Sequence, residues 1–150
     1  MGRSDTSKSS VHIEASIDAV RALLFDPAGY PAWSSAIKSA SVLSSDGEGK
    51  ATKVEMVIKA GQLKDRVILD YDWSAAPNSL TFTLDDADML TQMSGGYTVS
   101  DNGDGSTTVG YELTVALSMP IPAMMRNKAE KETIELALKE LKDHAEELEN

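Results

Sequence analysis

The sequence contains no cysteine, which excludes disulfide frameworks, cysteine-ligated zinc, iron–sulfur clusters and thiol nucleophiles. Basic residues are also scarce: 14 lysines and arginines stand against 24 aspartates and glutamates, giving a formal net charge of −10. Nucleic acids and anionic membrane surfaces both require a basic face, so this balance argues against either as a partner. No apolar run approaches the ~20 residues that span a bilayer, so stable membrane insertion is not expected.

The N-terminal segment is polar and is not followed by an apolar stretch, so it does not resemble a secretory signal. Gly2, with a hydroxyl at Thr6 or Ser7, fits a myristoylation motif only loosely, and a frayed terminus explains the segment better. We therefore interpret residues 1–9 as a flexible tail and residues 10–148 as one domain, because single cores commonly hold ~100–150 residues. The expected location is cytoplasmic.

Hydrophobic periodicity predicts the order of the elements. Residues 11–15 alternate between apolar and polar, as in a half-buried strand. Ser16 is a good N-cap for a short helix, and Pro27 can open a second one. From about residue 37 to 118, β-branched segments are separated by turn residues, which predicts a strongly twisted antiparallel sheet of six or seven strands.

The chain ends in a predicted helix of about 26 residues with an uneven apolar side. Its second half carries Leu138, Leu141 and Leu148, whereas Asn127 and Glu130 fall on the same side in its first half. Small and polar residues at a core position suggest empty or wet space between the helix start and the sheet. Alternatively, these first turns extend beyond the sheet and are exposed to solvent.

Arg126 precedes Glu130 by one turn, which leaves two interpretations of the pair. In the first, the two side chains form a polar anchor inside a cavity mouth, because a bare carboxylate is costly to bury. Replacing Glu130 by Leu should then change ligand affinity. In the second, they form an ordinary surface pair worth ~0.2–0.5 kcal/mol.

The chain resembles a known superfamily through motifs that recur in a fixed order. They are Ile13 to Val20, Asp26 with Tyr30-Pro31 and Trp33, Gly95-Gly96-Tyr97, Gly105 to Tyr111, and Pro120-Ile-Pro122. Together they resemble the START-like (SRPBCC) superfamily, in particular its polyketide cyclase/dehydrase and coenzyme Q-binding-type branch. The resemblance covers about residues 10 to 148. It implies an α+β helix-grip fold, with two short helices after strand 1 and a twisted sheet wrapped around the C-terminal helix.

The resemblance also implies a cavity for an apolar small molecule between the sheet and the long helix. The candidate ligand-binding residues are those on the inward faces of the strands, an aromatic of the turn, and the polar group of the helix. They are Trp33, Met56, Ile58, Leu69, Tyr71, Trp73, Phe82, Met93, Tyr97, Tyr111, Arg126, Asn127 and Glu130. Six internal methionines suit either an adaptable pocket or gap-filling in a core.

Neither catalysis nor metal binding has a recognisable motif. The only two histidines, His12 and His144, are far apart in sequence, and no zinc-binding or phosphate-binding motif occurs. The acidic run at residues 85–88 is interpreted as a solvated hairpin tip rather than a calcium site. We assign no catalytic residue, no metal site and no cofactor.

Three functions remain open. The first is binding or transport of a hydrophobic small molecule such as a lipid, a quinone or a polyketide. The second is a polyketide aromatase, cyclase or dehydratase that uses pocket tyrosines with Arg126 or Glu130. The third is a protein-interaction module without a ligand, in which Met125, Ala129 and Leu136 form a partner or homodimer contact.

Overall fold

One antiparallel sheet of seven strands wraps around a long C-terminal helix, as the sequence predicted. The computed structural model describes residues 7–60, 63–117 and 122–149. The strands are β1 (Ser7–Ile13), β2 (Ile37–Ser45), β3 (Ala51–Ala60), β4 (Leu63–Asp72), β5 (Ser79–Ala87), β6 (Leu90–Asp101) and β7 (Thr107–Leu117). They are arranged in the order β1-β7-β6-β5-β4-β3-β2, so β1 and β2 form the two edges.

The helices also follow the prediction. α1 (Ile17–Leu24) and a 3-10 helix (Pro27–Ala32) connect β1 to β2, and α2 (Ala123–Glu149) ends the chain. The Ser16 hydroxyl accepts a hydrogen bond from the Ala19 amide at 3.2 Å, which is the expected N-cap contact. No helix in the described ranges is both long and apolar enough to cross a membrane.

The first strand begins earlier than expected. Residues 7–9 were predicted to belong to a flexible tail, but Ser7 pairs with Leu113 and starts the ladder between β1 and β7. Hydrogen bonds to an inner strand order these polar residues, which carry no apolar signal of their own. Residues 1–6 of the predicted tail lie outside the described residues.

A glycine in β6 permits a close approach between strands. A Cβ atom at Gly95 would lie 2.1 Å from the backbone oxygen of Glu112 in β7, nearer than any side chain tolerates. The neighbouring atom is main chain, so it cannot move aside as a flexible side chain could. Gly95 therefore allows the tight coiling that lets the sheet curve around α2.

The helix α2 packs mainly against β1 and β7. Its buried residues Ile134, Leu138, Leu141 and Ala145 join the core, as the predicted apolar side requires. Leu148 was expected on that side but is 62% exposed. The side of α2 that is buried in the preceding turns is therefore exposed to solvent in the last turn.

Candidate ligand cavity

A cavity of about 60 Å³ lies between the inner face of the sheet and the middle of α2. Its walls are mainly apolar and aromatic, as expected for the inward faces of β3 to β7. Eight of the candidate residues line it: Met56, Ile58, Leu69, Tyr71, Phe82, Met93, Tyr97 and Tyr111. Strand periodicity identified them because alternate residues of a strand share a face.

The sequence-based candidates left out seven other lining residues. These are Tyr30, Ser34, Ala36, Ile37, Lys59, Thr133 and Ala137. Helical periodicity could have found Ala137, which the apolar side of α2 shares with Leu138 and Leu141. Ser34 and Ala36 lie in the irregular connection before β2, where no periodic pattern exists to reveal which side chains point inward.

Both candidate tryptophans lie outside the cavity lining. Trp33 is buried and packs edge-on against Tyr30, with ring centroids 5.3 Å apart. The indole of Trp73 donates a hydrogen bond to the Ala51 carbonyl at 2.7 Å and packs edge-on against Phe25. Trp33 therefore packs in the core next to the lining residue Tyr30, whereas Trp73 is partly buried and packs against the core.

The polar group of α2 also lies away from the cavity lining, although Glu130 is deeply buried at 1% exposure. One carboxylate oxygen accepts from the Ser7 hydroxyl at 2.9 Å, and the other accepts from the Val115 amide at 2.7 Å. Val115 lies two residues beyond Leu113, the partner of Ser7 in β7, so Glu130 contacts both strands of this ladder. Glu130 thus joins α2 to the β1–β7 edge.

This burial decides between the two interpretations of the first helical turns. The solvent-exposed surface pair is wrong for Glu130, because its carboxylate is enclosed by protein. Asn127 is half-buried, and its side-chain oxygen is buried without a hydrogen-bond partner among the described residues. A ligand-binding role for Arg126, Asn127 and Glu130 stays a prediction, and the cavity centres further along the helix, at Thr133 and Ala137.

All four tyrosines of the sequence line the cavity. The rings of Tyr97 and Tyr111 stack with their centroids 4.2 Å apart and an angle of 18° between their planes. Tyr30 donates its hydroxyl hydrogen to the Leu24 carbonyl, which ties the 3-10 helix to α1. Neighbouring strands and the 3-10 helix thereby hold rigid aromatic walls in fixed positions.

Burial determines the protonation of these hydroxyls. It raises the pKa of Tyr30, Tyr71 and Tyr97 well above the usual value for tyrosine, and it raises the pKa of Tyr111 to about 12. A charged phenolate would lose its hydration inside the protein. Near neutral pH the four hydroxyls are therefore protonated.

The cavity is smaller than the sequence led us to expect. A water molecule needs about 10–15 Å³ of cavity volume, so the cavity of about 60 Å³ corresponds to about four to six waters. Pockets for drug-sized ligands measure about 300–1,000 Å³. In this conformation the interior is smaller than the cavity of about 150 Å³ that binds benzene in another protein, so a cyclic guest, a lipid or a polyketide requires side chains to move.

The opening of the cavity is marked by the lining residues that remain partly exposed. We define the rim as Ala36, Ile37, Ile58, Lys59 and Thr133, all of which are half-buried or exposed. The remaining lining residues are buried. A guest would therefore enter between the start of β2, the end of β3 and the middle of α2.

A larger depression, of about 770 Å³, lies on the opposite face of the sheet. Hydroxyl groups from β5, β6 and β1 and the backbone of Gly96 and Gly110 form much of its surface. Outward-facing serines and threonines are typical of the solvated side of an antiparallel sheet. An apolar guest is better matched by the smaller interior cavity.

Ion pairs account for the acidic run at residues 85–88. The Lys53 ammonium lies 2.8 Å from the Asp85 carboxylate, and the Arg66 guanidinium lies 3.1 Å from both Asp86 and Asp88. Among the described residues, no group of three or more histidine, aspartate or glutamate side chains is arranged to hold a metal ion.

The second apolar strip of α2 is exposed. Met125 is 62% exposed, Leu136 is 42% exposed, and Ala129 also faces solvent. A homodimer contact through this strip stays a prediction.

A family model described as polyketide cyclase/dehydrase and lipid transport matches residues 5–146. The match includes every strand, both α-helices almost to their ends, and all lining residues of the cavity. No curated protein is significantly similar to the chain in sequence.

Solved structures reproduce the fold over nearly the whole chain. A START superfamily protein from Mycobacterium smegmatis has a TM-score of 0.90 at 23% identity, covering 95% of this chain and 98% of that one. The Zhui aromatase/cyclase from a Streptomyces species has a TM-score of 0.81 at 15% identity, covering 97% of this chain and 96% of the other. At such identities the likeness shows the fold alone, and it confirms the predicted helix-grip architecture.

Proposed function

Since this chain belongs to the polyketide cyclase/dehydrase and lipid transport family, we propose that it binds an apolar small molecule without changing it chemically. The guest lies in the cavity between the sheet and α2. The observation that carries the proposal is an interior space bounded by buried apolar and aromatic side chains from five strands and the helix. Binding sites for small molecules are mostly apolar, with a few polar groups that fix orientation.

The tyrosine hydroxyls supply the orienting groups. Because burial keeps the hydroxyls of Tyr71 and Tyr111 protonated at neutral pH, they can donate hydrogen bonds to a guest. A carbonyl oxygen is a suitable acceptor for such donors. This chemistry supports a quinone-like or polyketide-like guest over a pure hydrocarbon.

The same protonation argues against acid–base catalysis by these residues. A general base should have a pKa near the working pH, and burial moves the tyrosines away from it. None of the described lining side chains is a carboxylate or an imidazole. The aromatase or cyclase alternative would have to rely on tyrosines as very weak acids.

Two flexible side chains could enlarge the cavity for a bigger guest. Met56 and Met93 both line it, and unbranched methionines change rotamer more readily than the aromatic walls. A guest of one ring or more would displace these two side chains.

Native mass spectrometry after gentle purification tests the proposal directly. We expect a bound apolar molecule, or uptake of added single-ring quinones at one molecule per chain. A chemically altered product from a polyketide-like substrate would instead support the enzyme. Failure of every apolar compound to bind would contradict the proposal.

A pair of variants on α2 locates the bound molecule. Ala137→Phe places a ring in the cavity, so it should abolish uptake, whereas Ala129→Phe adds the same ring to the exposed side of the helix. Circular dichroism and thermal melting would check that both variants fold. Equal uptake by the two variants would place the guest elsewhere.

A further inference from the structure

The pairing of charges differs between two parts of the outer face of β3, β4 and β5. Lys53, near the start of β3, contacts two carboxylates, those of Asp70 and Asp85. Arg66 contacts three carboxylates at distances of 3.0–3.1 Å. Both of these cations are therefore matched by neighbouring acids.

Three lysines at one end of β2, β3 and β4 are different. Lys38 is near the start of β2, Lys59 is near the end of β3, and Lys64 is near the start of β4. Lys59 and Lys64 are directly opposite each other in the ladder, so their side chains share one face. Within the described ranges, none of the three forms an ion pair, although like charges directly opposite destabilise a sheet.

Carboxylates around these lysines have other partners: Asp88, which lines a depression together with Lys64, forms an ion pair with Arg66. Asp65 is buried and accepts hydrogen bonds from the amides of Met89 and Leu90. Glu140 of α2 accepts from the Ser35 amide at 2.9 Å. In a chain with a net charge of −10, three neighbouring lysines form a local positive patch.

Of these lysines, Lys59 lies at the opening of the cavity, and the other two lie next to it. Lys59 is itself a rim residue, Lys38 follows the rim residue Ile37, and Lys64 is opposite Lys59. A guest held among the tyrosines would extend past Ile58 toward this end of the strands. Its exposed end would meet ammonium groups while its apolar part stayed inside.

We infer that the guest of the cavity is an apolar molecule with a carboxylate headgroup, which lies at Lys38, Lys59 and Lys64. This inference rests on the proposed function and adds the chemical class of the guest. A carboxylate at the rim keeps its hydration, so the desolvation cost of a buried charge is avoided. The ammonium groups offer charge-assisted hydrogen bonds there.

Single-ring probes of matched length test this inference, because they require the least enlargement of the cavity. We would measure the Kd of the full chain for 4-phenylbutanoate and for 4-phenylbutan-1-ol by calorimetry. The acid should bind about three- to tenfold more tightly, since several exposed charge contacts each contribute modestly. Equal affinities would overturn the inference and leave the proposed function standing. If neither probe binds, the proposed function fails as well.

Charge-matched variants assign the effect to the three lysines. The triple variant K38Q/K59Q/K64Q should remove the preference for the acid and leave the Kd of the alcohol unchanged. The control K8Q/K50Q/K139Q changes the net charge equally at sites outside the cavity lining and should keep the preference. Loss of the preference in both triple variants would mean that overall charge, rather than the rim, selects the acid.

Discussion

The two halves of the interior differ in how completely side chains fill them. Under the second half of α2, Leu138 and Leu141 pack on the sheet and leave almost no exposed surface. Under the middle of the helix, Thr133 and Ala137 face a cavity bounded by rigid aromatic rings. The contrast shows that small residues on one stretch of a helix leave space that stacked tyrosines cannot collapse to fill.

The largest expected effect comes from truncating each half of the interior in turn. Leu141→Ala should lower the free energy of unfolding by about 3–5 kcal/mol, because a fully buried leucine leaves a new cavity. Met93→Ala should cost less, about 2 kcal/mol, because Met93 already borders empty space. Urea denaturation of both variants measures the difference. Equal losses would show that the two halves are packed alike.

The junction between α2 and the sheet edge gives the next effect. Glu130→Leu leaves the partly buried Val115 amide without its acceptor, so we expect a loss of about 1–3 kcal/mol in the free energy of unfolding. Ser7→Ala removes only the hydroxyl contact and should cost about 0.5–1.5 kcal/mol. If Glu130→Leu instead raised stability and changed ligand affinity, the carboxylate would belong to the cavity.

Alkaline pH should selectively weaken the tyrosine-lined half. The folded protein holds its tyrosines protonated beyond their usual pKa, and Tyr111 titrates at about 12. Above about pH 10 the unfolded chain loses protons that the folded chain retains, so stability falls as the pH rises toward 12. Each such tyrosine contributes a slope of about 1.4 kcal/mol per pH unit.

Denaturation between about pH 8 and pH 11, with tyrosinate absorbance recorded in parallel, measures this slope. Tyr111→Phe should make the decline shallower. Normal ionisation of all four tyrosines in the folded state near pH 10 would show that solvent reaches them freely.

The two tryptophans outside the cavity lining give the smallest effects. The indole nitrogen of Trp33 is buried without a hydrogen-bond partner among the described residues, whereas that of Trp73 donates to Ala51. Trp33→Phe should change the free energy of unfolding by less than about 1 kcal/mol, because lost packing is offset by removing an unpaired donor. Trp73→Phe should cost more, since it leaves a carbonyl unpaired. Thermal melting of both variants compares them, and the reverse order would contradict this account.

Periodic patterns made most of the sheet and helix predictable. The alternation in β4 placed Leu69 and Tyr71 inward, and the helical period placed Leu138 and Leu141 on the buried side. Ser7 was missed because a polar edge strand carries no apolar alternation. The lining residues before β2 were missed because irregular segments have no period.

The amino-acid sequence by itself determined the order of the elements, the inward faces and the charge balance, because these follow from local periodicity and residue type. Only the tertiary structure decided the cavity volume, the partners of Glu130 and which lysines are left without ion pairs. A cavity volume is a small difference between large packed volumes, and an ion pair depends on distances between strands far apart in the chain. Neither the cavity volume nor the ion pairs can be deduced from a local stretch of sequence.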